Sequence, residues 1–231
     1  MTYQERATSL PGAVLWRTTP PRAPEWTRIL PDGCLDLLWD GSRLFVAGPD
    51  TTARRHQGRA GLAHVALRFS GGTGPALLGI PADELRDRTP DLADLWPSAQ
   101  VRVLTERVAA DPAAALEAWA VERAATREKD PIGPLVLRMA SAGTPVAVMA
   151  GQLGLSARHL HRRCLPVFGY GPRRLARVLR LGRALDRAQA GTPLAQVAAG
   201  CGYADQAHLS REVRALAGTT PTELVRELRG R

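Results

Sequence analysis

Lysine is almost missing from this chain. Lys129 is the single lysine among 31 basic residues, and the rest are arginine. Genomic base composition alone would produce such a bias, but its consequence is physical: the positive charge is carried by planar, permanently protonated forks suited to paired contacts with guanine edges or phosphates. Long apolar runs are also missing. None approaches the ~18 residues that a membrane-spanning helix needs, and the opening MTYQERATSLPG has no basic stretch followed by an apolar one, so neither a membrane span nor a secretory signal is expected. The expected location is cytoplasmic. Cysteine is scarce, with Cys34, Cys164 and Cys201 odd in number and far apart. That excludes a disulfide framework and the close spacing of a zinc site, and no metal or cofactor is expected. Acidic residues are scarce in one region only. Residues 1–130 hold 16 basic against 17 acidic residues, a net of −1, while residues 131–231 hold 15 against 5, a net of +10. A basic excess gathered in one region is the footprint of a polyanion partner, because each neutralised phosphate releases condensed counterions.

What is present is an ordinary globular composition, 45% apolar and 23% charged, in 231 residues. That length suits one large domain or two small ones. From about residue 12 to 70 short apolar runs are cut by Pro, Gly and Asp. Ala13–Trp16, Leu35–Trp39, Leu44–Ala47 and Ala63–Phe69 read as strands. Beyond Gly71-Gly72-Thr73-Gly74-Pro75 the period becomes helical, with candidates at Ala76–Ile80, Asp83–Arg88, Asp91–Trp96, Ala99–Ala110 and Pro112–Arg127. The charged Arg127-Glu128-Lys129-Asp130-Pro131 coincides with the change in charge and with the onset of purely helical pattern. The expected division is therefore 1–128, an α+β domain built as a small sheet or partial barrel plus helices, and 129–231, an all-α domain.

The all-α region repeats itself. Ala142-Gly143-Thr144-Pro145 recurs 48 residues later as Ala190-Gly191-Thr192-Pro193, and Ala147, Ala150 and Gly154 match Ala195, Ala198 and Gly202. From there the offset is 49, and His159, Leu160, Arg162, Gly169, Pro172 and Leu175 match His208, Leu209, Arg211, Gly218, Pro221 and Leu224. Each copy reads as helix, tight turn, helix. Thr144 and Thr192 are the expected N-caps, with Pro145 and Pro193 at the first helical position. Gly154 and Gly202 supply the left-handed residue that ends a helix, and Ser156 and Asp205 cap the second one. Leu160 and Cys164, or Leu209, Val213 and Leu216, face inward. Arg158, His161 and Arg162, or Gln206, Ser210, Arg211 and Arg214, face outward, where side chains reach base edges. Between the copies Pro172–Ala190 is amphipathic, with Leu175, Val178, Leu179 and Leu185 on one side and Arg173, Arg174, Arg177, Arg180 and Arg183 crowding the rest. About eighteen helical residues span roughly 27 Å, a rod long enough to set two recognition helices near the ~34 Å spacing of successive major grooves.

These residues resemble a known family. LGLSARHLHRRC, FGYGPRRLARVLRLGRAL and above all CGYADQAHLSREVRALAGTTP are similar to the DNA-binding domain of AraC-type bacterial transcriptional regulators. The resemblance implies two recognition helices in adjacent major grooves, with base contacts from Arg158, His161 and Arg162 in the first and Gln206, His208 and Arg211 in the second. Ser156, Arg163, Arg173, Arg174, Arg177 and Arg214 are the candidate phosphate contacts. Two departures stand out: Cys164 replaces the usual aromatic, and Pro166 is expected to end the first recognition helix early. PDGCLDLLWD, LFVAGPDT and GIPADELRDR are similar to a small sensor-like domain found in an actinobacterial-type subgroup of these regulators. That likeness implies control by an effector, without naming one.

The reading is thus a sequence-specific regulator and not an enzyme, with double-stranded DNA as its partner. RNA polymerase, a small-molecule effector of unknown identity and a second copy of the chain are further candidate partners; a membrane is not. Two alternatives come from other classes. Cys34, between Asp32 and Asp36, could pair with His56 or His64 as a thiol nucleophile, although a core thiol suits its strand position better. An architectural DNA binder indifferent to sequence would also need a basic domain. The Gly71–Gly74 run lacks the lysine of a phosphate-binding loop and reads as a strand-to-helix turn. Trp16, Trp26, Trp39, Trp96 and Trp119 all lie in the N-terminal part, most of them expected in the core and some of them candidates to line an apolar effector pocket.

Overall fold

The computed structural model describes residues 3–229 apart from 21, 22, 24, 59 and 127–129. The expected domain boundary, at 128/129, lies outside the described residues. Among the described residues seven strands come first: β1 Tyr3–Ala7, β2 Ala13–Thr18, β3 Glu25–Ile29, β4 Leu35–Trp39, β5 Leu44–Ala47, β6 Arg54–Gly58 and β7 Val65–Phe69. Five of them form an antiparallel sheet in the order β1-β2-β7-β4-β5, and β3 and β6 form a separate antiparallel ribbon. The four expected strands are all present. β1, β3 and β6 carry no strand signal in the sequence: YQERA and RRHQG are mostly polar and leave most of their residues exposed, and EWTRI does not alternate, so no period betrays them.

Alternation along β2, β4 and β7 sends Leu15, Leu37, Leu67 and Phe69 to one face of the sheet. Four helices and a turn cover that face: α1 Thr73–Leu78, α2 Ala82–Leu85, a 3-10 turn at Leu92–Asp94, α3 Ser98–Ala110 and α4 Pro112–Ala125. Leu77, Leu78, Leu104, Val108, Leu116 and Trp119 close the core, so the domain is α+β with helices on one side. The opposite face carries a smaller cluster of Trp16, Leu38 and Ala66. Gly72, with φ 90°, makes the turn into α1, as the strand-to-helix reading required.

Among the described residues seven helices follow: α5 Ile132–Ser141, α6 Val146–Gln152, α7 Ala157–Phe168, α8 Pro172–Gln189, α9 Leu194–Gly200, α10 Gln206–Ala217 and α11 Pro221–Arg229. They enclose two separate apolar cores. Val136, Met149, Leu160, Cys164, Leu175 and Val178 form the first, and Leu181, Leu185, Val197, Leu209, Val213 and Leu224 form the second. α8 is shared, its first half packing into one core and its second half into the other. Among the described residues no helix is long and apolar enough to cross a membrane.

Candidate nucleic-acid interface

Each helix pair is built by local chemistry that repeats. α6 ends with Leu153, and Gly154 (φ 65°) lets the Leu155 N–H reach back to the Ala150 carbonyl at 2.9 Å. In the second copy Gly202 (φ 76°) does the same, with the Tyr203 N–H on the Ala198 carbonyl at 3.0 Å. The recognition helices start on side-chain caps. Ser156 Oγ accepts from the His159 N–H at 3.1 Å, and Asp205 Oδ1 accepts from the His208 N–H at 2.6 Å.

Two expectations about helix ends are corrected. Thr144 and Thr192 are not the caps of α6 and α9. Pro145 and Pro193 occupy the cap positions with extended backbones, and their carbonyls accept the first helical hydrogen bonds, from Met149 and Val197. Proline at a cap loses nothing, since its missing N–H has no helical acceptor there anyway. Pro166 does not end α7 early either. The helix runs through it to Phe168, and Gly169 closes it by donating to the Leu165 carbonyl at 2.8 Å. The proline removes only one N–H, two residues before the last helical residue, and α7 matches α10 at twelve residues each.

The outward faces stand where the sequence places them. Arg158, His161 and Arg162 on α7 and Gln206, Arg211 and Arg214 on α10 are all exposed. The His161 ring lies over Gly171, at the start of α8, where a Cβ would collide with it. His208 is half-buried. Its Nδ1 accepts from the Ala204 N–H at 3.2 Å and its ring meets Tyr203 edge-on at 5.5 Å, so it braces the turn and keeps only Nε2 to offer outward. Ser156 is exposed and its hydroxyl hydrogen is still available for donation.

Three of the candidate phosphate arginines have other occupations. Arg177 makes a two-pronged pair with Glu212 of α10 at 2.8 and 3.0 Å, and Arg180 adds a second guanidinium at 3.5 Å. Burial pushes the Glu212 carboxyl up, but hydrogen bonding to Arg177 and the charges of Arg177 and Arg180 outweigh it and hold the carboxyl below its ordinary value. Arg174 donates to the Thr51 carbonyl of the N-terminal domain at 2.8 Å. Arg163 lies 3.5 Å from Asp130, though it stays nearly half-exposed. Arg173 and Arg214 face solvent. Sequence reasoning passed over Glu212, yet an acid within an otherwise basic helix is the signal that could have drawn attention to it.

In the N-terminal domain Cys34 is half-buried between Asp32 and Arg68 rather than fully in the core. Burial, reinforced by Asp32, pushes its thiol well above the ordinary range, the reverse of what a nucleophile needs. His56 and His64 meet each other edge-on at 6.2 Å. Trp16, Trp39 and Trp119 are buried and Trp26 is exposed. Trp96 and Trp119 line an open groove of about 410 Å³ between α3 and α4, with Val103, Leu104, Arg107 and Arg123. Among the described residues no group of three or more His, Cys, Asp or Glu is placed to hold a metal ion.

Residues 149–227 match the family model of a helix-turn-helix domain, and residues 13–91 match a domain of unknown function, DUF6597. No curated protein matches the chain. Among solved structures, the apo form of a ToxT variant from Vibrio cholerae aligns at 14% identity over 98% of this chain and 96% of that one, with a TM-score of 0.46. Wild-type ToxT from the same organism with unsaturated fatty acid bound aligns at 12% identity over 91% and 90%, with a TM-score of 0.43. A probable AraC family transcriptional regulator from Rhodopseudomonas palustris aligns at 22% identity over 42% of this chain and 96% of that one, with a TM-score of 0.37.

Proposed function

We propose, from the premise that residues 149–227 are an AraC-type helix-turn-helix domain and the chain a DNA-binding transcriptional regulator, that it reads an asymmetric site of two elements in successive major grooves on one face of the duplex. The observation that carries this reading is the pair of equivalent recognition helices, α7 and α10, each capped at the same position and each presenting an exposed arginine, Arg162 or Arg211, at the same register. Arginine at such a position is the commonest specific reader of guanine. Arg158, His161 and Arg162 read one element, and Gln206 and Arg211 the other, with His208 supporting the second through its remaining ring nitrogen. Because the outer faces differ, the two elements differ. Ser156, Arg163, Arg173 and Arg214 contact phosphates and fix the register.

The N-terminal domain controls this binding through an effector or a partner. An apolar or aromatic effector fits the tryptophan-lined groove between α3 and α4 best, since its walls are apolar and its rim carries Arg107 and Arg123. The raised thiol of Cys34 leaves the nucleophile alternative without support.

The test is selection of bound genomic fragments by the purified full chain, followed by binding measured against salt and against scrambled DNA. A specific site at least about a thousandfold tighter than scrambled DNA is expected. Arg162→Ala and Arg211→Ala should each cost about 1–3 kcal/mol and relax the preference in one element only, each in a different one. Equal affinity for all sequences would sink the reading and leave an architectural binder.

A further inference from the structure

A two-element site is bound well only if the protein holds its two recognition helices at the spacing of the elements. One base pair added between them moves one element by about 3.4 Å and turns it by about 34°. The covalent connection between the two units is α8, and its middle is weak. Gly182 lies where the two apolar cores meet, just after Val178 of the first and Leu181 of the second. Its backbone is helical, and a Cβ there would meet nothing within 4 Å, so no close approach requires glycine. Glycine in a helix interior is less favourable than alanine and loosens the rod at that point. Across the junction the C-terminal domain has polar ties, Arg177 and Arg180 to Glu212, Arg180 to the Gly202 carbonyl and the Tyr203 ring, and Arg183 to the Ser141 carbonyl, and among the described residues no shared apolar core.

The N-terminal domain supplies a second connection. Within five residues, Pro49 to Ala53, it touches both units. Pro49 packs on Gly169, where any side chain would collide with its ring, and the Thr51 carbonyl takes Arg174. Ala53 N–H then donates to the Leu216 carbonyl at the end of α10 at 2.6 Å, and its side chain packs into the second core. Nearby, Arg28 donates to the Ala217 carbonyl at 2.7 Å and pairs with Glu227. The segment is itself held stiff. Asp87, whose φ of 58° makes it the non-glycine residue with a left-handed backbone among the described residues, accepts from the Thr51 N–H at 2.6 Å and from its hydroxyl. Asp50 pairs with Arg54 at 2.9 Å.

We infer that residues 49–53, anchored by Asp87, form a strut that sets the distance and angle between α7 and α10 across the flexible point at Gly182, and so determines which spacing of the two DNA elements the protein accepts. The specificity for base identity belongs to the recognition helices. The specificity for spacing belongs in large part to the N-terminal domain, and an effector acting there would change which sites are read without touching a base-reading residue. This inference rests on the two-element reading above.

The experiment measures affinity of the full chain for its selected site and for versions with one or two base pairs inserted or removed between the elements. The wild-type protein should prefer its own spacing by about tenfold or more. Asp87→Gly keeps the left-handed backbone and removes the anchor, and Arg28→Ala removes the second tie. Each should reduce that preference to about threefold or less while the base preference within each element is unchanged, and Gly182→Ala added to Asp87→Gly should restore much of it. Spin labels on Ala157→Cys and Ala207→Cys should show a broader distance distribution in Asp87→Gly, a readout that needs no DNA. Folded variants with the wild-type spacing preference, or an unchanged distance distribution, overturn the strut. A wild-type protein that favours no two-element site at all overturns instead the reading on which the strut rests.

Discussion

The two helix-turn-helix units have the same frame and tie it down with opposite charges. In the second unit the recognition helix contributes the acid: Glu212 of α10 accepts two guanidiniums from α8 and is mostly shielded. In the first unit the equivalent position, 49 residues earlier, is Arg163, and the acid is Asp130 at the start of α5. Asp130 also caps that helix, accepting from the Ile132 and Gly133 N–H groups. The tie from the second helix of each unit to the start or body of the helix that leads into that unit therefore persists while its sign is reversed. The consequence for surface charge is unequal: α7 keeps a basic residue beside its exposed outer face, whereas α10 places a carboxylate there and neutralises it with arginines drawn from α8. Geometry is common to the units; the distribution of charge around it is not.

The comparison is tested most severely where the units ought to be the same. Leu160 and Leu209 occupy matching core positions and are 0% and 1% exposed. Leu160→Ala and Leu209→Ala should each destabilise the protein by about 2–5 kcal/mol, through lost burial and the cavity left behind. Urea unfolding should give two values within about 1 kcal/mol of each other if the cores are equally rigid. A much smaller loss in one unit would show that its core collapses around the gap and that the likeness is only in outline.

A smaller effect separates the units at their caps. Ser156→Ala and Asp205→Ala should cost about 0.5–2 kcal/mol each, with Asp205 at the upper end. Its carboxylate makes the shorter bond, 2.6 Å against 3.1 Å, and places a full negative charge at the positive end of the helix. Thermal unfolding in low and high salt checks the reason as well as the rank. The difference between the two variants should shrink as salt rises, because the dipole part is screened and the hydrogen bond is not.

The caps and the left-handed glycines were legible in the sequence because each follows from a rule confined to a few residues. Two local rules failed: Pro166 does not stop α7, and Thr144 and Thr192 are not caps. Threonine before proline looks like a cap, but the proline backbone can stay extended and accept the first helical bond itself, which moves the start by one residue. The exposed arginines of α7 and α10 were legible too, from the period of the leucines on the opposite face. Arg174 and Arg177 were not. The first meets a carbonyl 123 residues away and the second a carboxylate 35 residues away, and neither partner has any pattern in the chain to announce it. The N-terminal domain shows the same limit. Strands with one apolar face were found, whereas β1, β3 and β6 are fixed by what they pair with. The segment LFVAGPDT was recognisable as a motif long before its place between the two units could be known.

The smallest effect bears directly on the reversed ion pair. Glu212 is held below its ordinary value of 4.5 by Arg177 and Arg180 against the opposing pull of burial. A carboxyl whose value is lower in the folded than in the unfolded state binds protons less readily when folded. Its contribution is therefore fully present above about 4.5 and lost as pH falls below that, through the folded value. Glu212→Gln should thus lower stability at neutral pH by a modest amount, because the pair is partly solvated and screened. As pH falls through the lowered folded value, the variant and the parent should converge. Urea midpoints measured from pH 7 down to pH 3 give the curve. If the difference between variant and parent stays constant across that range, Glu212 acts through packing or hydrogen bonding alone, and the reversal of sign between the units has no electrostatic consequence.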